Sequence, residues 1–231
     1  MRMALLGYGK MGRMVEEIAI GQGWEIGPKL DINDNVNGSG ITRESMVGVD
    51  AAIEFSQPSA AIANIEAAAK AGVSLVVGTT GWFDQLDKIE KIVNGSGIGL
   101  VYGANFSIGM NLFFEIVTRA AELIGKVPQY DPFLSEEHHR AKKDAPSGTA
   151  LNLVELMRPY LNNIDPSVAC IRAGSIPGTH VIGFDSQADT ILLEHRARNR
   201  QGFAEGAVMA ARWIAGKKGM YDFKQVFRKI L

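Results

Sequence analysis

The chemistry of this 231-residue chain is concentrated in one stretch, Glu136-Glu137-His138-His139-Arg140-Ala141-Lys142-Lys143-Asp144-Ala145-Pro146-Ser147-Gly148-Thr149-Ala150. It holds two of the four histidines. Imidazole and ammonium groups beside Ser147, Gly148 and Thr149 at a helix start make a site for an anionic substrate. Backbone amides and a hydroxyl at a helix N-terminus bind carboxylate as readily as phosphate. A solvated charged loop with Ser147 as a helix cap is the plainer alternative. Zinc is not expected, because adjacent histidines on a strand point to opposite faces and no third ligand lies nearby.

A second constellation opens the chain. Gly7-Tyr8-Gly9-Lys10-Met11-Gly12 is a G-x-G-x-x-G that follows a strand and begins a helix. Gly7 permits the tight turn, Gly9 lets backbone amides approach a pyrophosphate, and Gly12 allows close helix–strand contact. Asp31 falls 19 residues after Gly12, at the end of the next strand, where a ribose-binding carboxylate belongs. Together these imply a bound dinucleotide; a merely structural turn is the alternative. Gly78-Thr79-Thr80-Gly81 and Gly103-Ala104-Asn105-Phe106 each follow a strand, so they are candidates to line the nicotinamide side or are ordinary turns. Asp31 followed by Ile32 favours NADH and opposes a 2′-phosphate. Lys10, in the glycine loop, reaches towards such a phosphate, and Lys29 shares the strand face of Asp31 and neutralises it. NADH is therefore expected to be preferred, with NADPH used to a measurable degree.

Other polar residues read more simply. Arg196, Arg198 and Arg200 alternate and would share one solvated strand face. His180 and His195 are expected to be packed or exposed rather than catalytic. Trp24, Trp82 and Trp213 read as core or interface residues. Cys170, the one cysteine, lies in the apolar run 168–171 and is expected to be buried. It can form neither an intrachain disulfide nor a thiolate cage.

The elements that must position these groups change character along the chain. Up to about residue 106, short apolar runs (Met3–Leu6, Glu25–Leu30, Ala51–Phe55, Leu75–Val77, Ile98–Tyr102) alternate with helical stretches (Met11–Gln22, Ser59–Ala71, Phe83–Val93). That is the pattern of β-α units around a parallel sheet. Between Asp31 and Asp50 only a helical turn near Arg43–Val47 is expected. Then come a long helix (Gly109–Ile124), an extended segment (Tyr130–His139), a helix (Gly148–Leu161) and three strands (Val168–Arg172, Thr179–Phe184, Thr190–Ala197). Turns between those strands suggest a mixed or antiparallel sheet. A last helix, Gly202–Ala215, is placed to pack back on the first domain. The expected organisation is α/β: a dinucleotide-binding domain at 1–106, completed by 201–231, and a smaller α+β domain at 107–200 for substrate and oligomerisation.

Composition excludes several classes. Apolar residues make up 46% and charged residues 21% of the chain, enough for a sizeable core. A net charge of −1 offers no electrostatic case for a nucleic-acid partner. The longest apolar run is five residues, Ala207–Ala211, so no membrane span is expected. With no signal-peptide pattern before the first strand, a cytoplasmic protein is expected.

The whole set resembles the 4-hydroxy-tetrahydrodipicolinate reductase (dihydrodipicolinate reductase) family of lysine and diaminopimelate biosynthesis. The resemblance runs nearly end to end. It rests on the glycine motif, Gly-Thr-Thr-Gly at 78–81, Ala-Asn-Phe-Ser-Ile-Gly at 104–109 and His-His-Arg-Ala-Lys-Lys-Asp-Ala-Pro-Ser-Gly-Thr-Ala at 138–150. Ile-Arg-Ala-Gly at 171–174 with His180, and Arg200 followed by Gly206-Ala207, also fit. The resemblance implies a Rossmann domain, a mixed-sheet domain that builds a homotetramer, and reduction of an unsaturated cyclic dicarboxylate. It implies His138 as acid/base histidine, Lys142 as proton donor, and His139, Ser147, Gly148 and Thr149 around the substrate. Gly7–Gly12, Asp31, Gly78–Thr80 and Gly103–Phe106 would hold the dinucleotide. The stretch between Pro159 and Val168 is shorter than in many members. An aspartate or homoserine dehydrogenase-like enzyme and a non-enzymatic dinucleotide sensor are the competing readings; intact His138, His139, Lys142 and Thr149 speak against both.

Overall fold

The computed structural model describes residues 1–162 and 164–231; Asn163, in the shortened stretch after Pro159, lies outside the described residues. The chain divides into two compact units, residues 1–108 with 201–231, and residues 109–200.

The first unit runs β1 (Arg2–Leu6), α1 (Lys10–Gly21), β2 (Glu25–Leu30), β3 (Ala51–Glu54), α2 (Pro58–Ala71), β4 (Leu75–Val77), α3 (Leu86–Ser96) and β5 (Gly99–Tyr102). In β1, β3, β4 and β5 side chains alternate and both faces are buried. Met3, Leu5, Ile53, Val76 and Val101 join one core, while Ala4, Leu6, Ala52, Leu75, Val77 and Leu100 join the other. Parallel strands covered on both sides require this pattern. Pro58 sits at the start of α2, where its missing N–H is harmless, and Gly72 ends the helix at φ 79°. Phe83 opens a separate 3-10 turn, Phe83–Gln85, and α3 itself starts at Leu86. Between Asp31 and Asp50 the one regular piece is a 3-10 turn, Val36–Gly38; residues 43–48 are turns.

The second unit takes up α4 (Ile108–Ile124) from Gly109 onwards, followed by β6 (Asp131–His138), α5 (Gly148–Met157), β7 (Ser167–Arg172), β8 (Thr179–Asp185) and β9 (Thr190–Arg196). Its sheet has the order β7-β6-β8-β9, parallel between β6 and β7 and antiparallel elsewhere. Leu134, Ile182 and Phe184 pack one face against α4 and α5. On the other face Ile171 and Leu192 stay 48% and 58% exposed. α5 is shorter than expected: Pro159 lacks an N–H for the helical ladder, and Arg158–Tyr160 close as a 3-10 turn. β9 stops at Arg196, so Arg198 and Arg200 lie beyond it and do not share a strand face with Arg196.

The chain then returns to the first unit through α6 (Gln201–Ile214), with two further elements that sequence reading did not anticipate, β10 (Gly219–Asp222) and α7 (Phe223–Ile230). β10 joins β5 in parallel and completes a six-stranded sheet ordered β10-β5-β4-β3-β1-β2. Four residues, Gly-Met-Tyr-Asp, are too few to show a period. α7 is capped by Asp222, whose carboxylate accepts from the Lys224 N–H. Sequential strands leave β1 in opposite directions, towards β2 and towards β3, so the crevice beyond their carboxyl ends is the switch point where ligands bind in such sheets.

Candidate active site

The first unit carries a candidate site of its own at that switch point. Gly7 takes φ +90°, and a Cβ there would stand 2.3 Å from the Phe55 carbonyl oxygen. Gly12 has no room either, since its Cβ would meet the Gly7 oxygen at 2.2 Å. Gly9 is open, with nothing within 4 Å of its missing Cβ. Gly7, Gly9, Asp31, Asn35, Ser56 and Asn64 are among the residues that line a cavity of about 510 Å³. Two tight glycines and one exposed amide in front of a cavity are the cradle a pyrophosphate requires, so these residues fit a dinucleotide.

Tyr8, Lys10, Met11 and Gly12 do not line that cavity. The Tyr8 hydroxyl donates to Glu16 in a short contact, and the Tyr8 ring has Arg13 and Lys29 at 4.9 and 4.8 Å from its centroid. Lys29 pairs with Glu16 at 3.1 Å, which corrects the expectation that it neutralises Asp31. Asp31 instead accepts from the Ile32 N–H at 2.9 Å. Lys10 is exposed at the first position of α1, and Met11 packs on the core. Gly78–Thr80 and Gly103–Phe106 follow β4 and β5 but do not line the cavity. Thr79 is buried and Thr80 exposed. Gly78 leaves space for the Phe55 ring, and Gly103 for Phe223. Ala104 is exposed, Asn105 accepts from the Ser107 N–H at 2.9 Å, and Phe106 is buried 4.5 Å from the Phe223 ring.

In the second unit, the inward parity of β6 carries Leu134, Glu136 and His138 in turn, and all three are buried. Glu136 is the hub. One oxygen accepts from the Ser147 N–H at 2.9 Å and from Arg172 Nη2 at 2.5 Å. The other takes the Ser147 hydroxyl in a short contact and faces His138 Nδ1 at 3.5 Å and His180 Nε2 at 3.6 Å. Register explains the gathering, because β6 and β8 pair Glu136 with His180, and β6 and β7 pair Glu136 with Cys170. Ser147 also caps α5 by accepting from the Ala150 N–H at 3.2 Å. Arg172 further donates to the Asp144 carbonyl at 2.5 Å, which ties down the 142–147 loop.

Burial opposes the charge on Glu136, yet hydrogen bonds from Ser147 and Arg172 outweigh it and bring the carboxyl down to about 2. Burial lowers His138, only partly offset by Glu136, and pushes His180 down to about 4 with help from His138. Both imidazoles are therefore neutral at pH 7. Lys142 Nζ reaches Asp144 at 2.8 Å. His139, the residue after β6, is half-buried, and Gly148 and Thr149 lie at the N-terminus of α5 with Gly148 exposed.

Two sequence expectations change here. A third potential ligand does lie near His138, since Glu136, His138 and His180 offer ligand atoms within 4.8 Å. Arg172 already supplies positive charge to that carboxylate. Cys170 is exposed on the edge strand β7, not buried. His180 is packed, as expected, and lies in the cluster that Glu136 and Arg172, which sequence reasoning did not single out as site residues, organise. The signal that could have found Glu136 is its core parity, two residues from Leu134 and two from His138.

A six-stranded parallel sheet with a glycine cradle at its switch point, joined in sequence to a mixed-sheet unit with a buried carboxylate–imidazole cluster, defines an α/β oxidoreductase of the dinucleotide-dependent kind. Solved structures share this fold: a dipicolinate-bound dihydrodipicolinate reductase from Paenisporosarcina sp. TG-14 (TM-score 0.77, 21% identity, 97% of this chain and 98% of that one) and a probable dehydrogenase from Thermotoga maritima (TM-score 0.61, 10% identity, 98% and 93%). The chain belongs to the dihydrodipicolinate reductase family, whose N-terminal model matches residues 1–106 and whose C-terminal model matches residues 109–227. Relatives named 4-hydroxy-tetrahydrodipicolinate reductase include one from Christiangramia forsetii (37% identical, covering 98% of this chain and 97% of its own). Another comes from Archaeoglobus fulgidus (35% identical, 96% and 97%). With both halves matched, the chain is an NAD(P)H-dependent oxidoreductase, and the aspartate or homoserine dehydrogenase-like and sensor readings fall away.

Proposed function

We propose that this chain reduces 4-hydroxy-tetrahydrodipicolinate to tetrahydrodipicolinate in lysine and diaminopimelate biosynthesis. The observation that carries the reading is the Glu136–Arg172–Ser147 network, which fixes the N-terminus of α5 through Ser147 and faces His138 at 3.5 Å. Per turnover, one hydride and one proton enter the substrate and one water leaves. The dinucleotide supplies the hydride, to a ring carbon. Gly7 to Gly12 would hold its pyrophosphate and Asp31 its ribose, and Gly78–Thr80 with Gly103–Phe106, at the ends of β4 and β5 outside the cavity wall, would flank the nicotinamide. His139, Ser147, Gly148 and Thr149 hold substrate carboxylate through donors at a helix N-terminus. Lys142 delivers the proton to the electron-rich ring system left by hydride addition, with neutral His138 beside it. Asp144 occupies the Lys142 ammonium before substrate binds, and a dianionic substrate competes for the same cation.

NADH is the preferred reductant in this reading, and NADPH is used more slowly. Support comes from Asp31 at the cavity wall, Ile32 after it, and the commitment of Lys29 to Glu16. A cytoplasmic setting fits an enzyme that consumes reduced nicotinamide. The test couples NADH oxidation to substrate made in situ from pyruvate and aspartate semialdehyde. Absorbance at the NADH band should fall only when every component is present, and no loss would reject the activity. Repeating the assay with NADPH gives the ratio of kcat/KM values; a clear NADPH preference would reject the role given to Asp31.

A further inference from the structure

Glu54 ends β3 with its side chain on the α2 side of the sheet, and it is wholly buried. No ion pair reaches it among the described residues. One oxygen gathers three donors: the Ser56 N–H at 3.1 Å, the Ser56 hydroxyl in a short contact, and the Asn64 amide at 3.3 Å. Its other oxygen, Oε2, is buried without a hydrogen-bond partner. Burial pushes this carboxyl above the usual carboxylate range. A leucine of similar size would avoid that desolvation, so the carboxyl adds something other than stability.

What it adds is a set of connections. The Ser56 N–H is shared with Thr79 Oγ1 at 3.0 Å, which reaches the turn after β4. Asn64, on α2, accepts from the Asn35 amide at 2.8 Å, and Asn35 in turn accepts from the Gly40 N–H at 3.1 Å. Ser56, Asn64 and Asn35 all line the 510 Å³ cavity; Glu54 does not. The carboxyl therefore sits behind the cavity wall and joins the exit of β3, the first half of α2, the loop after Asp31 and the turn after β4.

We propose that Glu54 is a positioning residue for the dinucleotide, fixing Ser56 directly and Asn35 through Asn64 so that the cofactor meets a wall already in its bound arrangement. This rests on the dinucleotide reading of the cavity given above. Ordering two or three side chains in advance changes affinity by about tenfold.

The experiment titrates NADH into the full-length protein without substrate, following Kd by fluorescence, for wild type, Glu54→Gln, Asn64→Ala and the double variant. Each single change should raise the NADH Kd and KM about tenfold, with kcat at saturating NADH and the KM for the dicarboxylate within about twofold of wild type. Because both act through one network, the double variant should be little worse than the weaker single one. Folded variants that bind NADH like wild type, or penalties that multiply in the double variant, would overturn the proposal. If Glu54→Gln does not fold, Asn64→Ala and Asn35→Ala carry the same test. Wild-type protein that fails to bind NADH would overturn the dinucleotide reading itself, a result distinct from variants that bind normally.

Discussion

Glu136 carries a full charge in a place where water cannot reach it, and the surrounding residues show how that is sustained: Arg172 neutralises it, and Ser147 donates twice. Lys142, in the loop that Arg172 ties down at Asp144, pairs with the Asp144 carboxylate at 2.8 Å. Lys142→Ala should lower kcat by roughly 10² to 10⁴, the range of a positioned general acid, while NADH binding stays unchanged. Steady-state kinetics on Lys142→Ala and Lys143→Ala check the register; loss in the second and not the first would reverse the assignment. The imidazoles make a second prediction. An unfolded histidine takes its proton near 6.5, whereas His180 in the fold waits until about 4. The unfolded state therefore binds more protons between those values, so stability rises with pH there and falls as pH drops. His180 alone contributes about 1.4 kcal/mol per unit, roughly 3 kcal/mol in all. Glu136, down from 4.5 to about 2, adds its own loss only below 4.5. Melting curves should show Tm falling between pH 7 and 4.5, and His180→Gln should flatten that fall; an equally steep fall in the variant would remove His180 as its source.

At the scale of elements, α6 matters for where it lands. A Cβ on Gly206 would stand 1.9 Å from the Phe106 carbonyl oxygen, so α6 lies directly on the loop after β5. Gly206→Ala must push that loop or the helix aside, and overpacking of this kind destabilises by about 1–3 kcal/mol. We expect a Tm lower by several degrees and weaker NADH binding, read by calorimetry and titration; a variant with wild-type Tm and affinity would show that the contact is not confining. The strands β1, β3, β4 and β5 were legible because their alternating side chains are buried on both faces, which leaves continuous apolar runs; β2, at the sheet edge, buries no residue fully. Element ends were less so. α5 and α3 lose a turn each to 3-10 geometry, and β10 is added to the sheet by pairing with β5 rather than by any pattern of its own.

For the whole molecule, the outer face of the second unit's sheet is the feature that calls for a partner. Ile171 and Leu192 are about half exposed there, and Phe133 lies over Gly183, where a Cβ would clash with its ring at 2.1 Å. Such a face, with edge strands β7 and β9, suits association between copies of the chain. The expected assembly is a homotetramer, about four times the 25.0 kDa chain mass. Light scattering at micromolar concentration reads it directly, and Leu192→Asp should shift the mass downward. A wild-type mass equal to one chain would reject the assembly.

Much of this protein is local in origin, and that part was readable from its residues in order. The glycine turn, Asp31 after β2, the β-α alternation and the His-His to Ser-Gly-Thr stretch each depend on neighbours within a few positions. The cluster around Glu136 does not. Glu136 lies 36 residues from Arg172 and 33 residues separate Ser147 from His180, and only the pairing of β7 and β8 with β6 brings these groups together. Glu54 likewise reads as one more residue of a strand until α2 places Asn64 against it and the loop after Asp31 adds Asn35. Period and propensity belong to a segment; which buried charge meets which donor is a property of register and packing, and those exist only once the chain has folded.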